Sequence, residues 1–418
     1  MKVLVVGSGG REDAICWKLA QSPIVSEIHI APGNPSMGRF GRLVDIKAGE
    51  HALLADYATE NQIGLTVCGP DDAVVGGIGD VFRARGLRIF APSAAAARLE
   101  GSKAHAKAFM EKYGIPTAGY GVYYDFESAM AYCEKACYPL VVKVDGLALG
   151  KGVSVCGDVR HARIALQDVF LSRRFGASGE RVIIEEFLEG REVSILCFCD
   201  GKNILPMASA TDYKRAYDGD RGPNTGGMGV ISPSPFYTDE DAQIAAKLVL
   251  EPTMAGLIND GTPFVGCLFV QLMLTPNGHK VIEYNCRFGD PETQAVLPRL
   301  ENDFAEILIA ACDGELDKIT LKWRDEAVCC VVGASMGYPG EYARGARIDG
   351  LDEIHNNEET LVFHAGTRPE DGGHIAQGGR VFAISALGSD LSAARNRAYV
   401  AMEKITSDGI FFRKDIGS

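Results

Sequence analysis

Short apolar runs alternate with segments of helical spacing over residues 1–100. The apolar runs are Lys2–Val6, Glu27–Ala31, Leu65–Cys68 and Arg88–Phe90, and the helical segments are Asp13–Gln21, Glu50–Asn61 and Ala73–Arg85. This alternation predicts an α/β fold with a doubly wound parallel sheet, whose functional loops follow the carboxyl ends of the strands. Those loops are Gly7–Glu12, Pro32–Asn34, Gly69–Asp71 and Ala91–Ser93.

A long helix is predicted from Ala94 to Tyr113, and a smaller α/β unit follows it. That unit has predicted helices at Glu127–Ala136 and Val159–Leu171 and predicted strands at Leu140–Val144, Val153–Cys156 and Arg181–Phe187. Farther on, the pattern predicts a helix at Asp241–Ile258 and a hairpin of Pro263–Leu274 with Lys280–Arg287. The last ninety or so residues are typical of a mixed α/β cap with glycine-rich turns.

The segment from Pro206 to Phe236 has little apolar content and predicts a long polar loop. A loop of this length inside a compact protein is either functional or disordered. Its glycines and its charged residues Asp212, Lys214 and Arg215 favour a gate that closes over a bound substrate.

The chain is acidic, with a net charge of −13. That balance argues against nucleic-acid and anionic-membrane partners, because no general attraction to phosphate exists. An anionic substrate must therefore be held by a few well-placed lysines, arginines and backbone N–H groups. The twelve cysteines form no CxxC pair, which favours buried reduced thiols over zinc or disulfides. No stretch approaches the roughly 20 apolar residues of a membrane span, and the start lacks a signal-peptide layout. We expect a cytoplasmic protein.

The glycine turn after the first strand raises the question of a dinucleotide site. Gly7 and Gly9 fit the first two positions of the dinucleotide fingerprint, but Glu12 stands where the third glycine belongs. A Gly-Gly turn at a helix N-terminus still offers N–H groups to a phosphate, and Arg11 adds positive charge. A monophosphate site therefore fits better than NAD, with a simple tight turn as the alternative.

Leu140–Gly152 reads LVVKVDGLALGKG, a strand that delivers Lys143 into a glycine loop ending at Lys151. Such a loop can fold its amides over a polyphosphate while the two lysines neutralise charge. The spacing is not that of a Walker loop, and a hairpin with an exposed lysine remains the alternative.

Val281–Glu292 reads VIEYNCRFGDPE, in which Glu283, Asn285 and Arg287 share one strand face and Ile282, Tyr284 and Cys286 the other. A carboxylate and an amide oxygen two residues apart suit a hard cation such as Mg²⁺ bound together with substrate phosphates. A solvated strand face is the alternative. The carboxylates of Ile183–Glu192 are a weaker signal, because a charged edge strand explains them equally well.

Four motifs together resemble the glycinamide ribonucleotide synthetases, which are ATP-grasp carboxylate–amine ligases. They are Gly9–Glu12, Asp145–Gly152, Gly222–Gly229 and Asn285–Gln294, and the closing Arg413–Gly417 also matches. The resemblance covers nearly the whole chain. It implies an N-terminal sheet domain (1–102), a small nucleotide lid (103–190), a central ATP-grasp domain (191–324) and a C-terminal cap (325–418). It also implies ligation of glycine to 5-phosphoribosylamine through glycyl phosphate, with ATP and Mg²⁺ or Mn²⁺, in a monomer or weak homo-oligomer.

The resemblance also assigns roles to residues of this chain. ATP would be bound by Lys103, Lys143, Gly146, Gly150, Lys151, Gly152, Glu185, Glu186, Leu188 and Glu192. The metal would be bound by Glu283 and Asn285, and the catalytic groups would be Arg287, Lys214 and Asp212. The other substrates would be held by Gly9, Gly10, Arg11, Glu12, Gly69, Pro70, Asp71, Asn224, Thr225, Gly226, Gly227 and Arg287.

The chain departs from the family pattern at Asp13, Asp72–Val74, Tyr213 and Gln271. Most of these changes are expected on the acceptor side and none in the nucleotide loop. The alternatives are a related ATP-grasp ligase with another phosphoribosyl acceptor, such as the ATPase that carboxylates aminoimidazole ribonucleotide, an NAD-dependent oxidoreductase, and a non-catalytic nucleotide sensor. The Asn224–Gly229 and Asn285–Gln294 motifs argue against the other ATP-grasp ligase, and Glu12 argues against an NAD enzyme. The retained metal face argues against a non-catalytic sensor.

Overall fold

The computed structural model describes residues 1–147, 152–354 and 359–418. The N-terminal elements are β1 (Lys2–Gly7), α1 (Gly10–Leu19), β2 (Glu27–Pro32), β3 (Arg42–Leu43), α2 (His51–Glu60), β4 (Ile63–Cys68), α3 (Asp71–Val75), α4 (Ile78–Ala84) and β5 (Ile89–Phe90). The strands form a parallel sheet in the order β3-β2-β1-β4-β5. Val3–Val6 of the central strand are fully buried, so the predicted doubly wound sheet is confirmed.

Two predicted single helices are each broken in two. The segment 73–85 is divided at Gly77, whose φ of +87° is a left-handed conformation that a helix cannot pass through. The segment 94–113 is divided into α5 (Ala94–Gly101) and α6 (Lys103–Lys112) at Ser102, which is extended. The Ser102 hydroxyl accepts from the His105 N–H and so caps α6.

The small α/β unit contains β6 (Tyr120–Tyr123), α7 (Phe126–Cys133), β7 (Leu140–Val144), β8 (Val153–Cys156), α8 (Val159–Leu166) and β9 (Val182–Glu186). Its antiparallel sheet has the order β6-β9-β7-β8. The two helices cover one face of this sheet and bury an apolar core separate from the rest of the molecule. The predicted strands of this unit are confirmed. The helix α7 is shorter than predicted, whereas α8 continues as a π-helix over Gln167–Leu171 and so reaches the predicted end.

The central part starts with β10 (Arg191–Asp200) and β11 (Ile204–Pro206), followed by β12 (Thr211–Asp212), β13 (Arg215–Tyr217), β14 (Arg221–Asn224) and β15 (Gly229–Ser232). It continues with α9 (Asp239–Ala245), α10 (Glu251–Asn259), β16 (Val265–Thr275), β17 (Gly278–Asn285), α11 (Glu292–Val296) and α12 (Phe304–Asp313). The order β11-β10-β16-β17 confirms the predicted hairpin, which β16 and β17 form.

The C-terminal part contains β18 (Ala327–Ser335), β19 (Arg347–Ile348), β20 (Thr360–His364), β21 (Thr367–Glu370), β22 (Gly373–Ala376), β23 (Arg380–Gly388), α13 (Leu391–Met402) and β24 (Ile410–Phe411). Its main sheet runs β12-β15-β18-β23-β20, with β24 also paired to β18. The mixed α/β cap is thereby confirmed. The exact domain boundaries stay a prediction, since β12 and β15 come from the central part of the chain.

The prediction of one long loop from Pro206 to Phe236 is wrong. This segment contains β12 to β15, and two of these strands extend the C-terminal sheet. Val230 and Ile231 of β15 are buried against β18. Two adjacent apolar residues are too short a run for the sequence to predict a strand there. The gating role stays a prediction.

Among the described residues, no helix is long and apolar enough to cross a membrane. The twelve cysteines are free thiols and ten of them are buried, in agreement with the reduced state predicted from their spacing. Burial raises the pKa of the ten buried thiols, for example that of Cys156 to about 11.

Asp13 ties the N-terminal sheet to the C-terminal part and does not face the acceptor turn. Its buried carboxylate pairs with Arg39 at 2.5 Å and accepts from the His364 N–H at 3.0 Å. Burial raises the pKa of Asp13 to about 6, although Arg39 acts in the opposite direction, and Glu12 adds to the rise.

This raised pKa predicts a pH-dependent stability. The folded state binds the Asp13 proton more tightly than the unfolded state does. The contribution of this proton to the free energy of unfolding is therefore lost as pH rises from about 4 to about 6. We expect Asp13→Asn to raise Tm more at pH 7 than at pH 5 relative to the wild type. Thermal melts at both pH values test this, and a Tm difference that does not change with pH would contradict it.

Candidate active site

Two buried lysines meet one buried carboxylate on the small sheet. Lys143 Nζ lies 3.0 Å and Lys107 Nζ 3.1 Å from the same oxygen, Oε2 of Glu185. Burial lowers the pKa of Lys107 to about 8, against the opposing effect of Glu185. The other oxygen, Oε1, is buried and has no hydrogen-bond partner among the described residues. This oxygen is therefore available as an acceptor for a ligand.

The predicted nucleotide loop starts beside the break between α5 and α6. The Asp145 carboxylate accepts from the Ala104 N–H at 2.6 Å and from the Ser102 hydroxyl, which explains why Ser102 interrupts the helix. Lys103 Nζ donates to the Gly146 carbonyl at 3.2 Å. A Cβ at Gly146 would lie 2.4 Å from the Ser178 hydroxyl, so only glycine fits there.

The remaining predicted ATP contacts are more scattered. Gly152 is buried at the start of β8, whereas Gly150 and Lys151 lie outside the described residues. Glu186 is exposed and pairs with Lys280 at 3.0 Å, and Leu188 is half-buried between β9 and β10. Glu192 is on β10 and pairs with Lys214, which is not one of the predicted nucleotide contacts.

One face of β17 carries the predicted metal ligands. An Arg287 nitrogen donates to Asn285 Oδ1 at 3.1 Å, and the Arg287 guanidinium also pairs with the buried Glu100 at 3.0 Å. Tyr284 and Cys286 point into the core, as the alternation predicts. Ile282 does not join them, because a bulge pairs Gln271 with Glu283 but Leu272 with Val281. Val281 takes the predicted core position of Ile282.

Glu283 is surrounded by positive charge. Burial raises its pKa, but nearby cations outweigh this and lower the pKa below its ordinary value. The cations, in order of effect, are Lys214, Lys103, Lys143 and Arg287. So many cations suit a site that receives a polyphosphate, whose negative charge they neutralise.

The donor set fits a divalent cation only in company with phosphate. One carboxylate and one amide oxygen are the hard ligands that Mg²⁺ and Mn²⁺ accept. In the described ranges no three His, Cys, Asp or Glu residues converge to hold a metal, and the four cations around Glu283 oppose a bare ion. Phosphate oxygens of a bound nucleotide would supply the missing ligands and charge.

Asp212 and Lys214 adjoin this face from the other side of the cleft. Lys214 Nζ lies 2.5 Å from Glu192 Oε2. Burial raises the pKa of Asp212 against the effect of Lys214, and its Oδ1 is buried with no hydrogen-bond partner among the described residues. Asp212 and Lys214, two of the three predicted catalytic residues, are therefore brought close to Glu283, and Asp212 has an unsatisfied acceptor among the described residues.

Glu292 is a site residue that the sequence reasoning missed. Its carboxyl is buried near Asp212, and burial together with the Asp212 charge raises its pKa to about 7. The Ser194 hydroxyl lies 3.4 Å from its Oε1 and also donates to Gln271. The Gly-Asp-Pro-Glu turn was noted as a motif, but no strand periodicity revealed where this carboxyl would point.

The two predicted acceptor turns are in contact. Glu12 accepts from the Gly9 N–H and from Arg11 Nε, both at 2.6 Å. A Cβ at Gly69, next to Pro70 and Asp71, would lie 1.8 Å from Glu12 Oε1. The buried Glu12 carboxylate thus lies under both turns. The Glu12 side chain therefore occupies the space that the third glycine of a dinucleotide fingerprint would leave free for close packing of helix and strand.

Asp290 and Arg380 join this turn to the glycine-rich motif, and the sequence reasoning missed both. Asp290 accepts from the Arg11 N–H at 3.3 Å and pairs with Arg380 at 3.3 Å. Arg380 also donates to the Gly226 carbonyl at 2.7 Å. Gly227 donates to the Thr225 hydroxyl, and both the N–H and the hydroxyl of Thr225 donate to the Lys214 carbonyl, next to Asn224 in β14. The predicted acceptor residues therefore form one wall of the cleft.

Family comparisons agree with this geometry over nearly the whole chain. Residues 1–100, 101–293 and 328–418 match the N domain, the ATP-grasp (A) domain and the C domain of phosphoribosylglycinamide synthetase. A phosphoribosylamine–glycine ligase of Halalkalibacterium halodurans is 47% identical over 418 residues, covering 100% of this chain and 97% of its own. The protein of that name from Caldanaerobacter subterraneus subsp. tengcongensis is 46% identical, with 100% of both chains covered.

Solved structures show the same fold. A phosphoribosylamine–glycine ligase from Thermotoga maritima superposes with a TM-score of 0.86 at 32% identity, covering 100% of both chains. The biotin carboxylase domain of a Hydrogenobacter thermophilus 2-oxoglutarate carboxylase has a TM-score of 0.78 at 16% identity, covering 98% of this chain and 91% of its own. At that identity the likeness shows the ATP-grasp fold and nothing about the substrate.

Proposed function

The chain belongs to the phosphoribosylglycinamide synthetase family and is a phosphoribosylamine–glycine ligase of purine biosynthesis, and from this premise we propose which residues carry the reaction. The observation that supports the assignment is the cluster of four cations around Glu283, on the face shared with Asn285 and Arg287. ATP is the co-substrate. Mg²⁺ or Mn²⁺ on Glu283 and Asn285 would neutralise phosphate charge when bound.

In the first step, an oxygen of the glycine carboxylate attacks the γ-phosphorus of ATP, and the bond to ADP breaks. Lys103 and Lys143 lie beside Glu283 and neutralise the phosphates. Arg287 stabilises the charge on the transferred phosphoryl group, held in place by its pairing with Glu100. The Glu185 oxygen that lacks a partner accepts from the nucleotide.

In the second step, the amine nitrogen of 5-phosphoribosylamine attacks the acyl carbon of glycyl phosphate, and phosphate leaves as the nitrogen loses a proton. The turns around Glu12, with Arg11, hold the phosphoribosyl group, because they adjoin Asp290 and Arg380 at the cleft wall. Lys214 and Asp212 face the reacting groups from the opposite side.

The test is whether ATP turnover depends on both of the other substrates. We expect ADP and phosphate to form rapidly only when glycine and freshly generated 5-phosphoribosylamine are both present, with one glycinamide ribonucleotide made per ATP. Equal turnover with another amine or another phosphoribosyl acceptor would overturn the substrate assignment.

We further propose a cytoplasmic monomer or weak homo-oligomer, because a net charge of −13 opposes association, and light scattering tests the size.

The acceptor turn predicts a selective defect. A Cβ at Gly10 would lie 2.5 Å from Nε2 of the buried Gln294, which donates to Asp290 at 2.9 Å. We expect Gly10→Val to raise the Michaelis constant for 5-phosphoribosylamine by about tenfold or more, because a small misplacement at a binding wall is costly. The Michaelis constant for ATP should change little. Steady-state kinetics with each substrate varied in turn measure both.

The matched control is Gly38→Val, since a Cβ at Gly38 meets nothing closer than 3.9 Å. This variant should keep both constants near the wild-type values. Arg11→Ala should reproduce the Gly10→Val defect, because it removes the guanidinium that bonds the Glu12 carboxylate and the Phe288 carbonyl. Equal weakening of ATP and acceptor binding would contradict a separate acceptor site.

A further inference from the structure

The C-terminal tail, residues 413–417, contacts the segment that carries Lys214. Arg413 is only 2% exposed, although burying a charge is costly unless it is paired. Its guanidinium bonds both oxygens of Asp415 at 2.7 and 2.8 Å and reaches across to the Arg215 carbonyl at 3.0 Å. It also pairs with Asp220 at 3.3 Å. One buried arginine thus joins the tail to β13 and to the turn between β13 and β14.

Three more hydrogen bonds join the tail to the same segment, two from its backbone N–H groups and one through the Asp415 carboxylate. Asp415 Oδ2 accepts from the Gly219 N–H at 2.8 Å, and Asp218 Oδ1 accepts from the Lys414 N–H at 2.7 Å. The Tyr213 hydroxyl accepts from the Gly417 N–H at 3.0 Å. These contacts span almost 200 residues of sequence, so they are specific to the folded arrangement.

Successive residues of the segment point in opposite directions. Asp212 and Lys214 face Glu192 and Glu283 in the cleft. Tyr213, between them, packs on the tail, where the Arg413 guanidinium lies 5.2 Å from the centre of its ring. A shift of Tyr213 relative to the tail would therefore move both neighbouring side chains in the cleft.

We propose that the tail is a positioning element for the reaction, with Arg413 and Tyr213 fixing the backbone that presents Lys214 to the substrates. Arg413 touches none of the predicted substrate contacts that the structure describes, so it acts through Lys214. This inference rests on the proposed role of Lys214. It assigns a purpose to the Arg413–Gly417 motif, which none of the reaction steps uses directly.

A double-mutant cycle of Arg413→Met and Lys214→Ala tests the proposal. We expect Arg413→Met to lower kcat about 10- to 100-fold with little change in the Michaelis constant for ATP, because the lysine is misplaced. In the Lys214→Ala background the same change should lower kcat less than twofold further, since the group that Arg413 positions is gone. A further drop as large as in the wild type would overturn the proposal.

Tyr213→Phe provides a second, milder variant should Arg413→Met fold poorly. It removes only the hydroxyl that accepts from Gly417, so it should lower kcat measurably and lose that effect in the Lys214→Ala background. Unchanged kcat in Tyr213→Phe together with an additive Arg413→Met effect would refute the tail's role.

Arg299→Met is the matched control. Arg299 is another buried arginine, bonded to the Glu326 and Arg324 carbonyls and to the Ser232 hydroxyl, away from Lys214. It should lower Tm as Arg413→Met does while keeping kcat near normal below the melting range. If Lys214→Ala itself keeps full turnover, the proposed role of Lys214 fails. If Lys214→Ala is impaired but Arg413→Met is not, only the tail proposal fails.

Discussion

Glu283→Gln and Asn285→Ala are each expected to lower turnover by about 100-fold or more while the protein stays folded. Both side chains lie on one face of β17, where they would hold the cation that neutralises phosphate charge. Loss of either oxygen weakens that cation, so the activity of each variant should rise again at high Mg²⁺ concentration. Turnover measured over a range of Mg²⁺ concentrations, beside thermal melts, tests this.

The fold should survive Glu283→Gln because the cations around it have other carboxylate partners. Lys214 pairs with Glu192, and Lys143 pairs with Glu185. Asn277→Ala is the matched control for the amide, since Asn277 is exposed at the turn of the same hairpin. It should keep full activity. Near-normal turnover of Asn285→Ala at limiting Mg²⁺ would show that the metal assignment is wrong.

The strand face was predictable because its information is local. Side chains of a strand alternate with a period of two, so the sequence places Glu283, Asn285 and Arg287 on one side without knowing the rest of the fold. The bulge at Ile282 was not predictable in this way. It arises from the register with β16, which is set by pairing and not by the sequence of β17 itself.

The helix break at Ser102 is a second case in which a tertiary contact decides local structure. The apolar spacing continues through Ser102, so periodicity predicts one helix. Ser102 and the Ala104 N–H instead bond Asp145, which is some 40 residues away in the sequence. The break therefore adjoins the predicted nucleotide loop. The same reason hid Glu292, Asp290, Arg380 and Glu100, whose importance depends on long-range partners.

Resemblance and geometry contributed different parts of the site. The motifs indicated the residues that would contact substrates, and the structure places four predicted cations around Glu283 and two predicted acceptor turns around Glu12. The partners that hold those residues, such as Lys107 beneath Glu185 and the tail beneath Tyr213, were visible only in the folded arrangement. Residues that position other side chains show no characteristic spacing in the sequence, because their contacts join distant parts of the chain.

Arg287→Met is expected to lose both turnover and stability, for two separable reasons. Turnover should fall by at least about 100-fold, since the proposed role of Arg287 is to stabilise the transferred phosphoryl group. Stability should fall by about 3 kcal/mol, because removing one partner of a buried ion pair leaves the other charge uncompensated. The partner is Glu100, which is 6% exposed and, among the described residues, would keep only the Cys286 N–H as a donor.

The double variant Arg287→Met with Glu100→Gln separates the two effects. A neutral amide at position 100 removes the uncompensated charge, so most of the lost stability should return in urea unfolding experiments. Turnover should stay as low as in Arg287→Met, because the group that meets the phosphoryl is still missing. Glu100→Gln by itself should keep substantial turnover, since Arg287 retains its bond to Asn285. Recovery of turnover together with stability would mean that Arg287 serves the fold and not the chemistry.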